Sequence, residues 1–270
     1  MLIERIHLLK IPVDIIQPEN MEEAIRELLK KPGTKQIIFL SVWDLLKARR
    51  NNKFGECVKN ADLVLPISKS LIKGAAFLKL HVPVRYNPFS SIISFLSVLD
   101  SYHKSLYMFN TETQTFQQAE KTIHETFPNT LYLLGGKKKT LTQVEKNLHI
   151  TFPNIRIIGR YVGYYPKNVE TNIISAIYKA SPALVLVSDG IPEKNSWAFN
   201  RRNKFKSSTF VYHNDIFDIF SKRSKHISNK TFDKGLEIWT EILHNPLKIF
   251  YIFPYFWYNT LLLWFKITKK

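Results

Sequence analysis

One cysteine, Cys57, in 270 residues excludes a disulfide framework and any zinc module built on several thiolates. A reducing, cytosolic setting follows. The eight histidines are scattered without ligand spacing, so no structural metal is expected. No Gly-x-Gly-x-x-Gly turn and no Walker lysine loop occurs, which argues against ordinary dinucleotide or ATP binding. The first residues, MLIERIHLLKIPVDII, carry Glu4, Arg5 and Lys10 and no small-residue cleavage site, so they do not read as a signal peptide. Acidic residues are also scarce: 22 Asp and Glu face 39 Lys and Arg, leaving a net charge of +17. That balance points to a polyanionic neighbour, whether nucleic acid, an anionic membrane face or a phosphorylated substrate.

What is present is globular. Apolar residues make up 45% of the chain and charged residues 23%, close to the average for folded domains, so low-complexity and wholly disordered classes are excluded. Short β-branched and aromatic runs predict strands at Gln36–Ser41, Leu63–Leu65, Leu106–Phe109, Leu131–Leu134, Ile155–Ile158 and Leu184–Val187. Between them, Met21–Lys31, TQTFQQAEKTIHETF, LTQVEKNLHITF and VETNIISAIYKA show helical spacing. The pattern predicts a Rossmann-like α/β fold, a mostly parallel sheet flanked by helices, over residues 1–200.

The chain repeats itself once. Residues 105–129 (SLYMFNTETQTFQQAEKTIHETFPN) and 130–154 (TLYLLGGKKKTLTQVEKNLHITFPN) are identical at 11 of 25 positions. Each copy reads as strand, turn, helix and a Phe-Pro-Asn exit, so a βα unit is duplicated. The turns differ. The second copy has Gly135-Gly136 before Lys137, Lys138 and Lys139, where glycine admits a ligand and helix N-terminal amides favour phosphate. The first has Asn110-Thr111-Glu112. A tight turn beside a solvated lysine run is the alternative reading of the Gly-Gly-Lys segment.

Residues 201–270 change character and form a basic, aromatic appendage. Nine Lys and Arg between Arg201 and Lys234 face three Asp, and the segment after Lys248 is crowded with rings. A spanning helix wants about 20 predominantly apolar residues. The apolar stretch here reaches 17 and contains Pro254. Phe250, Phe253, Phe256, Trp257 and Trp264 with Lys269 and Lys270 suit the lipid headgroup interface. A helix packed on its own core and a short spanning helix are the alternatives.

Several ordered segments together resemble the WecG/TagA/CpsF family of glycosyltransferases. They are NADLVLP (Asn60–Pro66), PVRYN around Arg85, LYLLGG (Leu131–Gly136), IRIIGRYVGYY (Ile155–Tyr165), VLVSDGIPEKNSW (Val185–Trp197), DIFDIF (Asp215–Phe220) and GLEIWTEILHNP (Gly235–Pro246). The resemblance implies transfer of an N-acetylhexosamine-type sugar from a UDP-sugar to a polyprenyl-diphosphate-linked acceptor. It also implies cell-envelope polysaccharide synthesis, a peripheral location on the inner face of the cell membrane, no cofactor beyond the donor, and association into homo-oligomers. Departures are concentrated in polar residues. Where the family has its proposed base in Asp-Gly this chain has Ile67-Ser68, and Lys194-Asn195 replace the Gln-Glu that follows Gly190 and Pro192.

Inverting sugar transfer needs a base for the acceptor proton and cations or dipoles for the leaving UDP. The residues expected at the nucleotide-sugar are Arg85, Gly135, Gly136, Gly163, Tyr164, Tyr165, Gly190, Pro192 and Lys194. Asp44 and Asp189 are candidates for the base because both follow strand ends, although a turn-capping role is open for Asp189. The alternative function is a catalytically degenerate relative that binds a nucleotide-sugar, a glycan or a partner protein at the membrane. A nucleic-acid-binding role ranks last, since the aromatics gather at one chain end instead of interleaving with the basic residues.

Overall fold

The computed structural model describes residues 2–109, 129–222, 232 and 253–268, with backbone alone for 103–109. Two strands form an antiparallel hairpin, β1 (Glu4–Leu8) and β2 (Ile11–Ile15). Six others form one sheet in the order β4-β3-β8-β7-β5-β6. They are β3 (Lys35–Leu40), β4 (Leu63–Pro66), β5 (Thr130–Leu134), β6 (Arg156–Tyr161), β7 (Leu184–Val187) and β8 (Thr209–Tyr212). The pairs β3·β8, β8·β7, β7·β5 and β5·β6 are all parallel. Every residue of β3, β4 and β7 is buried, as parallel strands covered on both faces require. The expected α/β class is therefore what forms.

The residues divide into two compact units: one from Met1–Pro18, Ile38–Ser90 and His226–Lys270, the other from Glu19–Ile37 and Ser91–Lys225. In the first, the buried Asp14 carboxylate of β2 takes Arg5 at 2.6 and 2.7 Å and the Val64 amide of β4 at 2.7 Å. One carboxylate thus ties the hairpin to the sheet and leaves no buried charge unpaired there. Helices α2 (Val42–Ala48), α3 (Lys53–Lys59) and α4 (Lys69–Phe77) follow. The last helix of the chain, Phe253–Thr268, docks in this unit by Tyr258 and Leu262. The Tyr258 hydroxyl donates to the Ser70 carbonyl at 3.3 Å, in a notch that exists because residue 74 is glycine. A Cβ at Gly74 would stand 1.9 Å from that hydroxyl.

In the second unit, α1 (Met21–Lys30) carries Glu22 and Glu23 in its first turn and Lys30 in its last, in the sense the helix dipole favours. The core gathers Tyr132, Ile173, Ile177, Val185, Trp197, Phe205 and Phe210. Trp197, Phe205 and Phe210 meet with ring centroids 4.8 to 6.4 Å apart. Helix α5 (Pro88–Phe109) corrects one expectation, because it runs through Leu106–Phe109, where a strand was predicted. Extending an existing helix avoids a second nucleation, and a short apolar run has no periodicity that separates strand from helix. Residues 110–128 of the first repeat copy lie outside the described residues. The second copy folds as read, strand β5 followed by α6 (Lys138–Thr151). The asparagines that close the two repeat copies touch: the Asn129 carboxamide donates to the Asn154 carbonyl, and Asp100 accepts from the Asn154 amide at 2.8 Å.

Candidate active site

The expected site residues fall in both units. Asp44, Ile67 and Arg85 belong to the first, where the polar groups are engaged by the chain itself. Asp44 closes a capping box on α2: its Oδ2 accepts from the Ser41 amide at 3.2 Å and from Ser41 Oγ at 2.6 Å, while the Asp44 amide donates back to Ser41 Oγ. Arg85 Nε donates to the Ile67 carbonyl at 2.7 Å. Its guanidinium also lies 3.7 Å over the Phe232 ring and donates to the Phe232 carbonyl. Arg85 thus braces the turn at Ile67, the position where the resemblance calls for an acid.

The glycines, tyrosines and Asp189 come together in the second unit, where the turns after β5, β6 and β7 converge. The Gly135 amide donates to the Tyr161 carbonyl at 2.9 Å, the Gly136 amide to the Asp189 carbonyl at 2.9 Å, and the Gly163 amide to the Gly136 carbonyl at 2.8 Å. The Tyr164 amide donates to the Gly190 carbonyl at 2.7 Å. Backbones can approach this closely only without side chains: a Cβ at Gly163 would lie 2.5 Å from the Asp189 carbonyl oxygen, and one at Gly135 2.8 Å from the same atom. Gly135, Gly136 and Gly190 also have positive φ, where glycine is unstrained. These glycines stitch three strand ends into one floor, and the amides of Gly135 and Gly136 are spent within it. The first turn of α6, from Lys138, has no side-chain cap, so its amides and the exposed Lys137, Lys138 and Lys139 remain the positive element here.

The two tyrosines part company. Tyr165 is a wall of the fold: its ring meets Tyr161 edge-on at 6.2 Å, and its hydroxyl donates to Glu170 at 3.4 Å. Burial, with Glu170 adding to it, pushes that hydroxyl up to about 12. Tyr164 is 67% exposed although its backbone is held in the left-handed region at φ 55°. Its ring lies against Gly190, where a Cβ would come within 2.6 Å of two ring carbons. Its hydroxyl donates to Asp189 Oδ2 at 2.8 Å, which raises the Tyr164 pKa. An exposed ring pinned at its base, one face and its tip is an ordered platform, and non-glycine residues held at positive φ gather at functional sites.

The loop after Gly190 is clamped from behind. Glu170 accepts from Trp197 Nε1 at 2.9 Å and pairs with Arg201 at 2.9 Å, and Arg201 reaches Glu193 at 3.1 Å. That clamp holds Glu193 and Lys194 in left-handed conformations, φ 62° and 48°, and leaves Pro192 and the Lys194 side chain exposed.

Residues from β8 and its exit complete the cluster. Tyr212 is raised to about 12, first by burial and then by Asp189 and Asp215. Burial holds the His213 imidazole below its ordinary value against the pull of Asp215. Neither was expected from the sequence, because TFVY at 209–212 sits inside the basic appendage; its aromatic and β-branched character was the available signal. Among the described residues no group of three or more His, Cys, Asp and Glu side chains is arranged to hold a metal ion.

Of the residues expected at a membrane, Phe253, Phe256, Trp257 and Trp264 are exposed on the C-terminal helix, from 57% to 74%. Phe250, Lys269 and Lys270 lie outside the described residues. Among the described residues no helix is long and apolar enough to cross a membrane.

No curated protein matches the chain. The Glycosyl transferase WecG/TagA/CpsF family model matches residues 6–131 and again residues 129–270, the two segments meeting where the repeat copies join. The chain is a member of the WecG/TagA/CpsF glycosyltransferase family.

Proposed function

We propose that this glycosyltransferase moves an N-acetylhexosamine-type sugar from a UDP-sugar to a polyprenyl-diphosphate-linked acceptor at the inner face of the cell membrane, in the assembly of envelope polysaccharide. The observation that carries the donor half is the Tyr164 platform over the glycine floor. A ring fixed by Gly190 and Asp189, with its outer face open, suits a flat base, because base and ring can stack without ordering the side chain further. Lys194 and the lysines opening α6 supply charge for the diphosphate. The acceptor half is supported by the C-terminal helix. It holds on through Tyr258 and Leu262 and presents Trp257 and Trp264, amphipathic rings of the kind that settle at headgroup depth, beside the apolar rings of Phe253 and Phe256.

A second reading has a specific observation behind it. The acid expected at position 67 is isoleucine, and Asp44, the nearer in sequence of the two candidate bases, is committed to its capping box. A chain that keeps the fold but has lost the chemistry would bind donor without turnover, acting as a nucleotide-sugar or partner-binding protein.

Isothermal titration of the folded protein with UDP and a panel of UDP-N-acetylhexosamines tests the donor site. Saturable binding is expected. Heat at the dilution level for every nucleotide would overturn the transferase reading and the nucleotide-sugar-binding variant together, and a partner-binding role would become the better account. Where binding occurs, release of UDP in the presence of a polyprenyl-diphosphate-linked N-acetylglucosamine separates the two.

A further inference from the structure

Asp189 follows β7 and is unlike the capping residue its Asp-Gly context suggests, because its carboxylate accepts from no backbone amide among the described residues. Oδ2 receives the Tyr164 hydroxyl at 2.8 Å. Oδ1 faces the Gly136 side of the floor, where a Cβ on residue 136 would stand 3.7 Å away. Its hydrogen-bonding neighbour among the described residues is Ser188 Oγ at 3.4 Å, and that hydroxyl has a single proton, which goes to the Asn214 carbonyl at the shorter distance of 2.8 Å. A carboxylate oxygen in this state accepts one more strong donor, and it does so beside an exposed aromatic platform.

The surrounding charge says which part of a ligand belongs here. Asp218 acts on Tyr164, and Asp189 and Asp215 act on Tyr212, so the charges felt by the two tyrosine hydroxyls are carboxylates although the whole chain carries +17. Phosphate is repelled from such a place and groups with N–H edges are attracted. The bond to Tyr164 also sets Asp189 at the nucleoside end of a donor stacked on that ring, a ribose and two phosphates away from the anomeric carbon. A role as the base for the acceptor proton does not fit that placement.

We propose that Asp189 reads the base of the donor nucleotide and selects uridine over cytidine, an inference that rests on the UDP-sugar reading above. Uracil carries a proton on N3 and would donate it to Oδ1. Cytosine carries a lone pair on N3, so in the same pose it would set two acceptors face to face, and its N4 amino group would reach Oδ1 only if the base shifted along its edge on the Tyr164 ring. A hydrogen bond to a charged group gained in one case and a repulsion met in the other amounts to roughly 10- to 100-fold in affinity.

The test compares UDP, CDP and 3-methyl-UDP on wild-type protein and on Asp189→Asn by titration calorimetry. Wild type is expected to bind UDP about 10- to 100-fold more tightly than CDP, with 3-methyl-UDP as weak as CDP. The carboxamide of the variant can turn its NH2 toward cytosine N3, so Asp189→Asn should gain CDP affinity and bring the ratio to within about threefold. A turn-holding role predicts something else, both nucleotides weakened in proportion and the ratio kept, and that result would overturn the proposal. So would 3-methyl-UDP binding wild type as tightly as UDP, an arm that needs no variant to fold. Wild type that binds UDP without discriminating CDP removes this inference and leaves the donor reading standing. Folded wild type with no affinity for UDP removes both.

Discussion

The strand ends of the two units handle polar side chains in opposite ways. In the first unit Asp14, Asp44 and Arg85 are each engaged by several groups of the chain: Arg5 and the Val64 amide, the Ser41 amide and hydroxyl, the Ile67 and Phe232 carbonyls. In the second, Asp189 and Tyr164 hold one another, leaving a carboxylate oxygen with room for a further donor and a ring that is exposed. Side chains saturated from within stabilise a fold, whereas a positioned group with spare valence is what a ligand uses. The contrast predicts that substitutions in the first region act on stability and substitutions in the second act on binding.

The largest effect is expected from Asp14→Ala. It strips a buried pair and leaves Arg5 and the Val64 amide without their acceptor, at a cost of about 2–4 kcal/mol, the lower part because Arg5 is about one-third exposed. Urea unfolding measures it, and a change under about 0.5 kcal/mol would break the comparison.

Next comes alkaline pH. Burial pushes the Tyr86 hydroxyl up to about 12, and that hydroxyl both accepts from the Ile16 amide and donates to the Ile16 carbonyl at 2.7 Å. The unfolded-state value is about 10. A pKa raised on folding means that the stabilisation is fully present below pH 10 and is lost as pH rises through 12, about 2–3 kcal/mol in all. Tyr86→Phe should flatten this alkaline decline in unfolding experiments, and an unchanged slope would remove Tyr86 as its source.

Gly74→Ala sets a methyl against the Tyr258 hydroxyl, and overpacking of this kind costs about 1–3 kcal/mol. Its informative readout is sedimentation with anionic vesicles. Displacing the helix that bears Phe256, Trp257 and Trp264 should lower co-sedimentation, as deletion of Leu247–Lys270 should more completely. Vesicle binding indifferent to both changes would detach the membrane reading from this helix.

The smallest stability effect belongs to Asp189→Asn, expected within about 0.5 kcal/mol of wild type because the residue is part-exposed and its short hydrogen bond is to the exposed Tyr164. A large loss of stability there would make the second region resemble the first.

Much of the architecture was legible in the chain. The strand at 184–187, the helix of the second repeat copy and the glycine turns all announce themselves through composition and spacing, which are local properties. Residues 106–109 misled because four apolar residues carry no period, and the helix already running from Pro88 simply continued through them. Strand β8 was hidden by the basic residues around it. The candidate site was legible as a set of residue types, and its membership was sorted only by contact: Tyr164 and Tyr165 are adjacent and chemically identical, yet one is a platform and the other a wall.

The sequence by itself determined the parallel α/β class, the duplicated segment, the excess of positive charge and the places where the backbone could lack a side chain. Tertiary structure decided what those glycines are for. The amides of Gly135, Gly136 and Gly163 bond to neighbouring strand ends instead of remaining open, because parallel strands deliver three turns to the same edge of a sheet from positions 135, 163 and 190. It also decided which carboxylate keeps a free acceptor. That depends on which donors lie within about 3 Å, a matter of chains brought together from distant positions and not of any residue's own chemistry.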